Sequence, residues 1–261
     1  MPRFAQRVRG EILGTIEDTQ APLMLFGSYA RKDSTDESDI DVLEVTKVRL
    51  PPYKRGRINV SPYTVHTLSY LCSHGSLFVL HLLNDGIIIR DRDRRLADTL
   101  RKYISPRDYR YYRTQLRGAV PLLDCSAEFY SRKWRQLHRI AIFLLRSSCF
   151  AELAERGTPL FAMKAVARVL RDDRIEKAYF LKSCHSPNRS LFEFTATLVA
   201  EYLHAELHNP YGSVEALLVA GGDRSRLLKA LGARLLDDDD GADEYVDHSQ
   251  REEDLVCPLP S

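Results

Sequence analysis

The sequence predicts an α/β (α+β) domain with a mixed sheet, followed by an all-α helical bundle and a short acidic tail. Helix-like and strand-like segments alternate over residues 1–104, as they do when helices pack on a sheet. Strand patterns then stop, and helical periodicity continues over residues 105–236. Residues 237–261 hold ten acidic side chains against one basic, so we expect a disordered or loosely attached tail.

The composition is that of an ordinary globular protein. Hydrophobic residues make up 44% of the chain and charged residues 28%, a balance that allows each domain a buried core. We find no apolar run near eighteen residues and no basic start followed by an apolar stretch, so we expect neither a membrane span nor a secretory signal. The five cysteines are scattered and never spaced as CxxC. They indicate reduced thiols and a cytoplasmic location.

The net charge of +2 hides an uneven distribution. Because the tail carries −9, residues 1–236 carry +11. A basic body suits polyanionic partners such as nucleotides or RNA, although it also serves solubility alone.

The first domain begins with an amphipathic helix at residues 3–17, where apolar side chains recur every four positions. A short apolar run of strand length follows Pro22, and two further segments have strand-like composition with a basic, proline-containing loop between them. The predicted strands are 23–26, 38–45, 57–65 and 86–90, the loop is 51–56, and a helix at 67–84 is interrupted near Gly75.

Two arginine-rich helices open the bundle. Ser105 and Pro106 form a helix-start signature, and Asp108 completes a partial capping box. This helix and the next, at 128–147, place apolar residues on one stripe and arginines on the other side. The apolar stripes are Tyr109, Tyr112, Leu116, Val120 and Leu123, then Trp134, Leu137, Ala141 and Leu144.

Three more helices are predicted from their start signals. Thr158-Pro159 begins one, and Ser190 begins the next with a capping box. Ser213 begins the last, which is broken at Gly221-Gly222 and resumes to about residue 236.

A polar loop joins two strands of the first domain in the stretch FGSYARKDSTDESDIDVLEV, residues 26–45. Gly27 and Ser28 lie where a strand ends and a short helix begins, a place where backbone N–H groups bind phosphate. Gly27 allows close approach of an anion, and Ser28 adds a hydroxyl. Asp39 and Asp41 are two apart on a strand and therefore point to one face. Such paired carboxylates call for a cation, and Mg²⁺ prefers hard oxygen ligands.

This spacing is similar to the GSx10DxD signature of the polymerase-β-like nucleotidyltransferases. It most resembles their minimal branch, with aminoglycoside nucleotidyltransferases and the antitoxins paired with HEPN toxins. The apolar strand before Gly27, the apolar residues around the aspartates and the upstream helix agree with the family, and residues 75–91 resemble the end of its domain. The resemblance covers residues 1–104 and implies a nucleotidyltransferase domain, with an appended bundle that helps bind the acceptor.

The resemblance also implies a reaction and its cofactors. A nucleoside monophosphate would pass from a nucleoside triphosphate, ATP in first place, to a hydroxyl group with release of pyrophosphate. Asp39 and Asp41 would be catalytic and hold two Mg²⁺ ions, and Gly27 and Ser28 would bind the β- and γ-phosphates.

Family members carry a third carboxylate on the neighbouring strand, and here that position is Asn59. In the strand at 57–63, Ile58 and Val60 would pack inward, which turns Asn59 to the site face. An amide oxygen can contact Mg²⁺ but carries no charge and is no base. Glu44 has the wrong parity to replace it, whereas Asp36 or Glu37 would contribute under a different register.

Three functions are therefore open. The chain is a nucleotidyltransferase acting on a macromolecule, either an RNA or tRNA 3′ end or a protein side chain in a toxin–antitoxin or defence-like system. Alternatively it is a catalytically weakened module that binds RNA or protein. A small-molecule, aminoglycoside-type enzyme is the third alternative, although the first two bundle helices hold few of the carboxylates that such an acceptor requires.

Basic side chains of the bundle outline a surface for polyanions. Lys164, on the third bundle helix, could reach the triphosphate, with a solvated side chain as the alternative. Arginines of the first two helices could contact tRNA or other RNA, or a protein partner, and a solvated helix face is again the alternative. These arginines are Arg107, Arg110, Arg113, Arg117, Arg132, Arg135 and Arg139.

Arg132 and His138 loosely resemble the Arg/His pair of HEPN ribonucleases. His138 lies beside the apolar stripe of its helix, however. We therefore expect a partly buried structural histidine there.

Overall fold

The computed structural model describes residues 3–35, 38–222 and 225–237. They form two compact units that divide between Pro106 and Arg107. The predicted tail beyond Asp237 lies outside the described residues, as do Asp36 and Glu37. Within the described residues, no helix is both long and apolar enough to cross a membrane.

The first unit has a sheet of five strands with helices around it. Its elements are α1 (Arg3–Thr15), β1 (Leu23–Phe26), α2 (Gly27–Arg31), β2 (Ile40–Thr46), β3 (Tyr53–Arg55), β4 (Ile58–Thr64), α3 (Val65–Ser73), α4 (Leu77–Asp85), β5 (Ile87–Arg90) and α5 (Arg95–Leu100).

The sheet is mixed, which confirms the predicted fold class. Its strand order is β3-β4-β2-β1-β5. Strands β2 and β4 pair in parallel, and the other three pairs are antiparallel. The four predicted strands are present within two residues of their expected bounds.

The predicted loop at 51–56 is wrong in part, because it contains strand β3. Lys54 pairs with Asn59 of β4, and Gly56, with a φ of +60°, lies in the tight turn between the two strands. The two prolines of this segment precede β3, where they remove no hydrogen bond from the sheet.

Helix α5 was not expected either. Its first N–H groups, of Leu96 and Ala97, donate to the Asp91 carboxylate.

The core of the first unit lies between α1 and one face of the sheet. Alternate residues of the strands supply it, as the strand period requires. Ile58 and Val60 are buried there as predicted, so Asn59 between them faces the other side. The largest contributors are Ile12, Leu23, Ile40, Val42, Ile58 and Val60.

All regular elements in the described part of the second unit are helices, as predicted. Its elements are α6 (Arg110–Ala119) with a 3₁₀ turn at Val120–Leu123, α7 (Ala127–Glu155), α8 (Met163–Leu170), α9 (Arg174–Tyr179) with a 3₁₀ turn at Phe180–Ser183, α10 (Arg189–Leu203), α11 (Val214–Gly221) and α12 (Arg226–Leu236). The predicted apolar stripes of α6 and α7 are buried, apart from the half-buried Trp134.

Two predicted helix starts are wrong because their residues serve neighbouring structure. Pro106 packs against Gly75 instead of opening α6, which begins at Arg110. Gly157, with a φ of +72°, ends α7, and the Thr158 N–H donates to the Leu153 carbonyl in a C-terminal cap. Helix α8 therefore begins only at Met163.

A third start is displaced by two residues. Asn188 caps α10, because its Oδ1 accepts from the Leu191 N–H at 3.1 Å, and Ser190 lies inside the helix. The predicted cap at Ser213 is confirmed, since its hydroxyl accepts from the Ala216 N–H at 3.2 Å.

Candidate active site

A line of side chains crosses one face of the sheet near the start of β2. Asp41 lies opposite Asn59 in the parallel pair, and Asn59 lies opposite Lys54 in the antiparallel pair. Phe26, the last residue of β1, lies opposite Asp41. Residues directly opposite one another share a face. The register therefore places Lys54, Asn59 and Asp41 in one line that ends beside Gly27.

Gly27 begins α2 with a φ of +75°, a conformation that favours glycine. A β-carbon at this position would lie 2.5 Å from Asp41 Oδ2, so the aspartate carboxylate occupies the space that a side chain would need. Phe26 caps α2 without a side-chain hydrogen bond, and Ser28 is partly exposed in the first turn. The turn and the first carboxylate of β2 are thus in direct contact.

Asn59 is 3% exposed and lies next to Asp41. Its Nδ2 donates to Asp41 Oδ1 over a long 3.4 Å, and its Oδ1 has no hydrogen-bond partner among the described residues. A buried polar atom without a partner costs free energy unless a ligand or water satisfies it. This amide oxygen is therefore available to a bound group.

Asp39 lies just before β2 and forms an ion pair with Lys54, with Nζ 3.3 Å from Oδ1. The sequence interpretation missed Lys54, because it treated residues 51–56 as a loop. Gly56 directly before a strand-like segment was the available signal for a hairpin turn.

Arg57 fixes the helix that carries the predicted phosphate-binding turn. Its guanidinium donates to both carboxylate oxygens of Glu11, at 2.9 and 2.7 Å, and to the Tyr29 hydroxyl at 2.9 Å. The hydrogen bond from Arg57 holds the pKa of Glu11 below its usual value. Because Tyr29 directly follows Ser28, this network joins α1, the turn between β3 and β4, and α2 behind the turn at Gly27.

A second network holds the end of α2. Arg31 Nη1 lies 3.3 Å from Asp85 Oδ2 and 3.2 Å from His81 Nε2. Burial acts to raise the pKa of Asp85, but the hydrogen bonds from His81 and Asn84 and the charges of His81 and Arg31 together lower it. The ionised carboxylate therefore anchors Arg31 and the helix that it ends.

Glu44 points to the opposite face, as its parity predicts. It is 5% exposed and accepts a hydrogen bond from the Tyr53 hydroxyl at 3.0 Å. Burial raises the pKa of this carboxyl group. Glu44 therefore does not supply the third carboxylate of the site.

The donor set fits a hard divalent cation. Asp39 and Asp41 offer carboxylate oxygens, and Asn59 offers a neutral oxygen, which suits Mg²⁺ with phosphate oxygens in its remaining positions. Within the described residues, no group of three or more His, Cys, Asp or Glu side chains could hold a metal ion. The predicted site therefore offers two carboxylates, whereas members of the related family carry a third.

The remaining predicted residues lie in the second unit. Lys164 is exposed on α8. Arg113 pairs with Glu152 and Glu155, and Arg117 donates to a backbone carbonyl, so these two are engaged inside the bundle. Arg139 is half-buried. The other predicted contact residues are exposed, namely Arg107, Arg110, Arg132 and Arg135.

Comparison with protein families matches residues 11–71 to the nucleotidyltransferase domain. This segment contains the turn at Gly27, both aspartates and Asn59, and the match confirms the resemblance to the polymerase-β-like superfamily. No curated protein matches the chain. Among solved structures, a nucleotidyltransferase-like protein from Exiguobacterium sibiricum is 17% identical over 77% of this chain and 74% of its own, with a TM-score of 0.27.

Proposed function

Because residues 11–71 form a nucleotidyltransferase domain, we propose that the chain transfers a nucleoside monophosphate from a Mg²⁺-bound nucleoside triphosphate to a hydroxyl group of a macromolecule. ATP is the first candidate donor. The position of Asp41 is the main observation behind this proposal. Its carboxylate lies against Gly27, and the side chain of Asn59, whose amide oxygen has no partner among the described residues, lies beside it. This arrangement sets hard oxygen ligands next to a phosphate-binding turn.

In the proposed reaction the acceptor hydroxyl oxygen attacks the α-phosphorus. The bond from that phosphorus to the oxygen bridging the α- and β-phosphates breaks, and pyrophosphate leaves with the electron pair. The hydroxyl proton passes to water, because the Asn59 amide cannot accept it. Gly27 and Ser28 would hold the β- and γ-phosphates, and Asp39 and Asp41 would hold the metal. Bound Mg²⁺ supplies Lewis-acid stabilisation of charge on the phosphate oxygens.

RNA is the acceptor that the second unit favours. Its exposed arginines on α6 and α7, Arg110, Arg132 and Arg135, suit a phosphate backbone, and a 3′-terminal hydroxyl supplies the nucleophile. Arg135 also lies over the Trp134 ring at 4.6 Å, which leaves an aromatic group beside the basic surface. A protein hydroxyl, as in a toxin–antitoxin system, is the other outcome that the test below can give.

The test combines the full chain with Mg²⁺, each of the four labelled nucleoside triphosphates, tRNA and a cell extract. We expect the wild type to transfer label, and we expect Asp39→Ala and Asp41→Ala each to abolish this transfer. Asp93→Ala, at an exposed carboxylate of the same unit, is the matched control and keeps the wild-type rate. Label found on protein and not on RNA would show that the acceptor is a protein hydroxyl. A separate variant, Lys164→Gln, tests whether that side chain affects the affinity for the nucleotide.

Asn59 favours a second candidate function, a binding module that has lost fast chemistry. The position that carries a charged base in members of the related family is a buried amide here. Under this alternative, the protein binds nucleotide and RNA but transfers no label from any of the four triphosphates. A large gain in rate for Asn59→Asp would show that the native site is a weakened one.

A further inference from the structure

Lys54 places a positive charge at the acidic end of the site. Its Nζ lies 3.3 Å from Asp39 Oδ1, and the sheet register sets it opposite Asn59. The side chains of Lys54 and Asp39 are 34% and 41% exposed, whereas Asn59 is 3% exposed. The ammonium therefore lies at the accessible edge of the site, where a nucleotide would enter, and the amide lies behind it.

The charges at this point favour a single divalent cation. Two carboxylates and one ammonium leave a net charge of −1, because Asn59 contributes none. One divalent cation held by Asp39 and Asp41 already reverses that sign. A second would lie beside the Lys54 ammonium and find only an uncharged ligand at Asn59, so repulsion would oppose its binding.

We propose that Lys54 takes the place of a second metal ion. The site then works with one divalent cation on Asp39 and Asp41, and the ammonium of Lys54 supplies the second positive charge to the transferring phosphoryl group. This inference rests on the proposed nucleotidyl transfer and changes its expected two Mg²⁺ ions to one.

The neutral side chain of Asn59 is consistent with a site that holds one divalent cation. A third carboxylate would be needed to hold a second divalent cation, and the amide at this position supplies none. The neutral amide also adds no negative charge beside Lys54, which already pairs with Asp39. A lysine is also a compact point charge that rotates freely to meet phosphate oxygens.

Arg55 provides a matched control for Lys54. It is the next residue of β3, and its Nη2 pairs with Glu17 at 2.8 Å. Successive residues of a strand point to opposite faces, so Arg55 lies on the side of the sheet away from the site. Lys54→Gln and Arg55→Gln therefore remove the same charge from the same strand, but only the first removes it from the site.

The test is Mn²⁺ binding to the full chain, followed by electron paramagnetic resonance without nucleotide and with a non-cleavable ATP analogue. We expect one Mn²⁺ per wild-type chain in both states. Lys54→Gln should bind this ion about ten-fold more tightly without nucleotide, because the competing ammonium is gone, whereas Arg55→Gln should match the wild type. Lys54→Gln combined with Asn59→Asp should bind two Mn²⁺ with the analogue.

Rates supply the second readout. At saturating Mg²⁺ and ATP, Lys54→Gln should transfer label at least ten-fold more slowly than Arg55→Gln, and Lys54→Arg should keep part of the rate. Equal Mn²⁺ affinity of the two glutamine variants, or two ions on the wild type, would overturn the role of Lys54. Failure of the proposed function would give a different result. The wild type would then bind no Mn²⁺, or Asp41→Asn would leave its Mn²⁺ affinity unchanged.

Discussion

The α-carbon of Gly27 and the carboxylate of Asp41 face each other so closely that a β-carbon on residue 27 would lie 2.5 Å from Asp41 Oδ2. Gly27 also has a φ of +75°. Two independent constraints, conformation and space, thus require glycine at the contact between the turn and the strand that carries Asp41.

The first prediction concerns Gly27→Ala. The methyl group must displace the Asp41 carboxylate, so we expect Mn²⁺ affinity to fall at least ten-fold and the free energy of unfolding to fall by about 1–3 kcal/mol. Gly14→Ala is the control, because nothing lies within 4 Å of a β-carbon there and the residue is helical. Alanine at position 14 should stabilise the chain slightly. Equal effects of the two substitutions on Mn²⁺ affinity would contradict the contact.

The sequence was informative where the chemistry is local. Gly27, Asp39 and Asp41 lie within one short segment, and strand parity was sufficient to separate Asn59 from Ile58 and to exclude Glu44. Lys54 was missed because its strand is three residues long and follows two prolines, which look like a loop. Its contact with Asp39 also depends on strand pairing between distant segments, which local patterns do not encode.

Helix starts in the second unit show a further limit. A cap signature identifies one residue that could begin a helix, whereas in the folded chain several nearby residues could do so. Thr158 carries the right residue type, but its N–H closes the preceding helix, and Asn188 caps α10 before Ser190 can do so. The residue at which such a helix begins therefore depends on the hydrogen bonds that neighbouring elements form.

The second prediction concerns Lys32, which ends α2 with a φ of +66°. This left-handed conformation is costly for a residue with a β-carbon. Lys32→Gly should therefore stabilise the chain by about 0.5–1 kcal/mol, measured by urea unfolding. Lys32→Ala is the control, because it removes the side chain and keeps the strain, so a gain of the same size for alanine would contradict the explanation.

The third prediction concerns Arg57, whose guanidinium joins Glu11 and Tyr29 behind the turn at Gly27 and Ser28. Lysine cannot reproduce this bidentate geometry. Arg57→Lys should lower the free energy of unfolding by about 1 kcal/mol, a modest value because the pair is partly exposed, and it should also weaken ATP binding several-fold. Arg55→Lys, at a more exposed ion pair, should change neither quantity.

The fourth prediction concerns acid sensitivity at His138. The ring is 4% exposed, and its Nε2 forms a hydrogen bond of 2.8 Å with the Tyr130 hydroxyl, as expected for a structural histidine. Burial lowers the pKa of His138 to about 4 from an ordinary 6.5. The unfolded chain therefore binds a proton between those pH values that the folded chain does not, and stability is lost as the pH falls through this window.

Urea unfolding at two pH values tests this linkage. Between pH 7 and pH 5 we expect the wild type to lose about 2 kcal/mol through His138. Carboxylates with lowered pKa values titrate mainly below this range. His138→Gln keeps an acceptor for Tyr130 and should lose much less over the same interval, whereas His66→Gln, at an exposed histidine, should behave as the wild type. A similar pH dependence in all three proteins would rule out His138 as the cause.

The fifth prediction concerns Asn59→Asp and its dependence on metal. Asn59 Nδ2 now donates to Asp41 Oδ1 at 3.4 Å, and a carboxylate would replace this donor with a second negative charge in a buried position. We expect the variant in EDTA to lose about 1–3 kcal/mol of unfolding free energy relative to the wild type. Saturating Mn²⁺ should recover most of that loss, because the cation lies between carboxylates that otherwise repel each other.

Asn188→Asp is the matched control for this substitution. Its Oδ1 accepts from the Leu191 N–H at the start of α10, and an aspartate caps a helix equally well, so its stability should depend on neither EDTA nor Mn²⁺. If Asn59→Asp were as stable in EDTA as in Mn²⁺, the side chain of residue 59 could not lie against Asp41 in a cation site, and the line of residues from Lys54 to Gly27 would not form the metal-binding part of this domain.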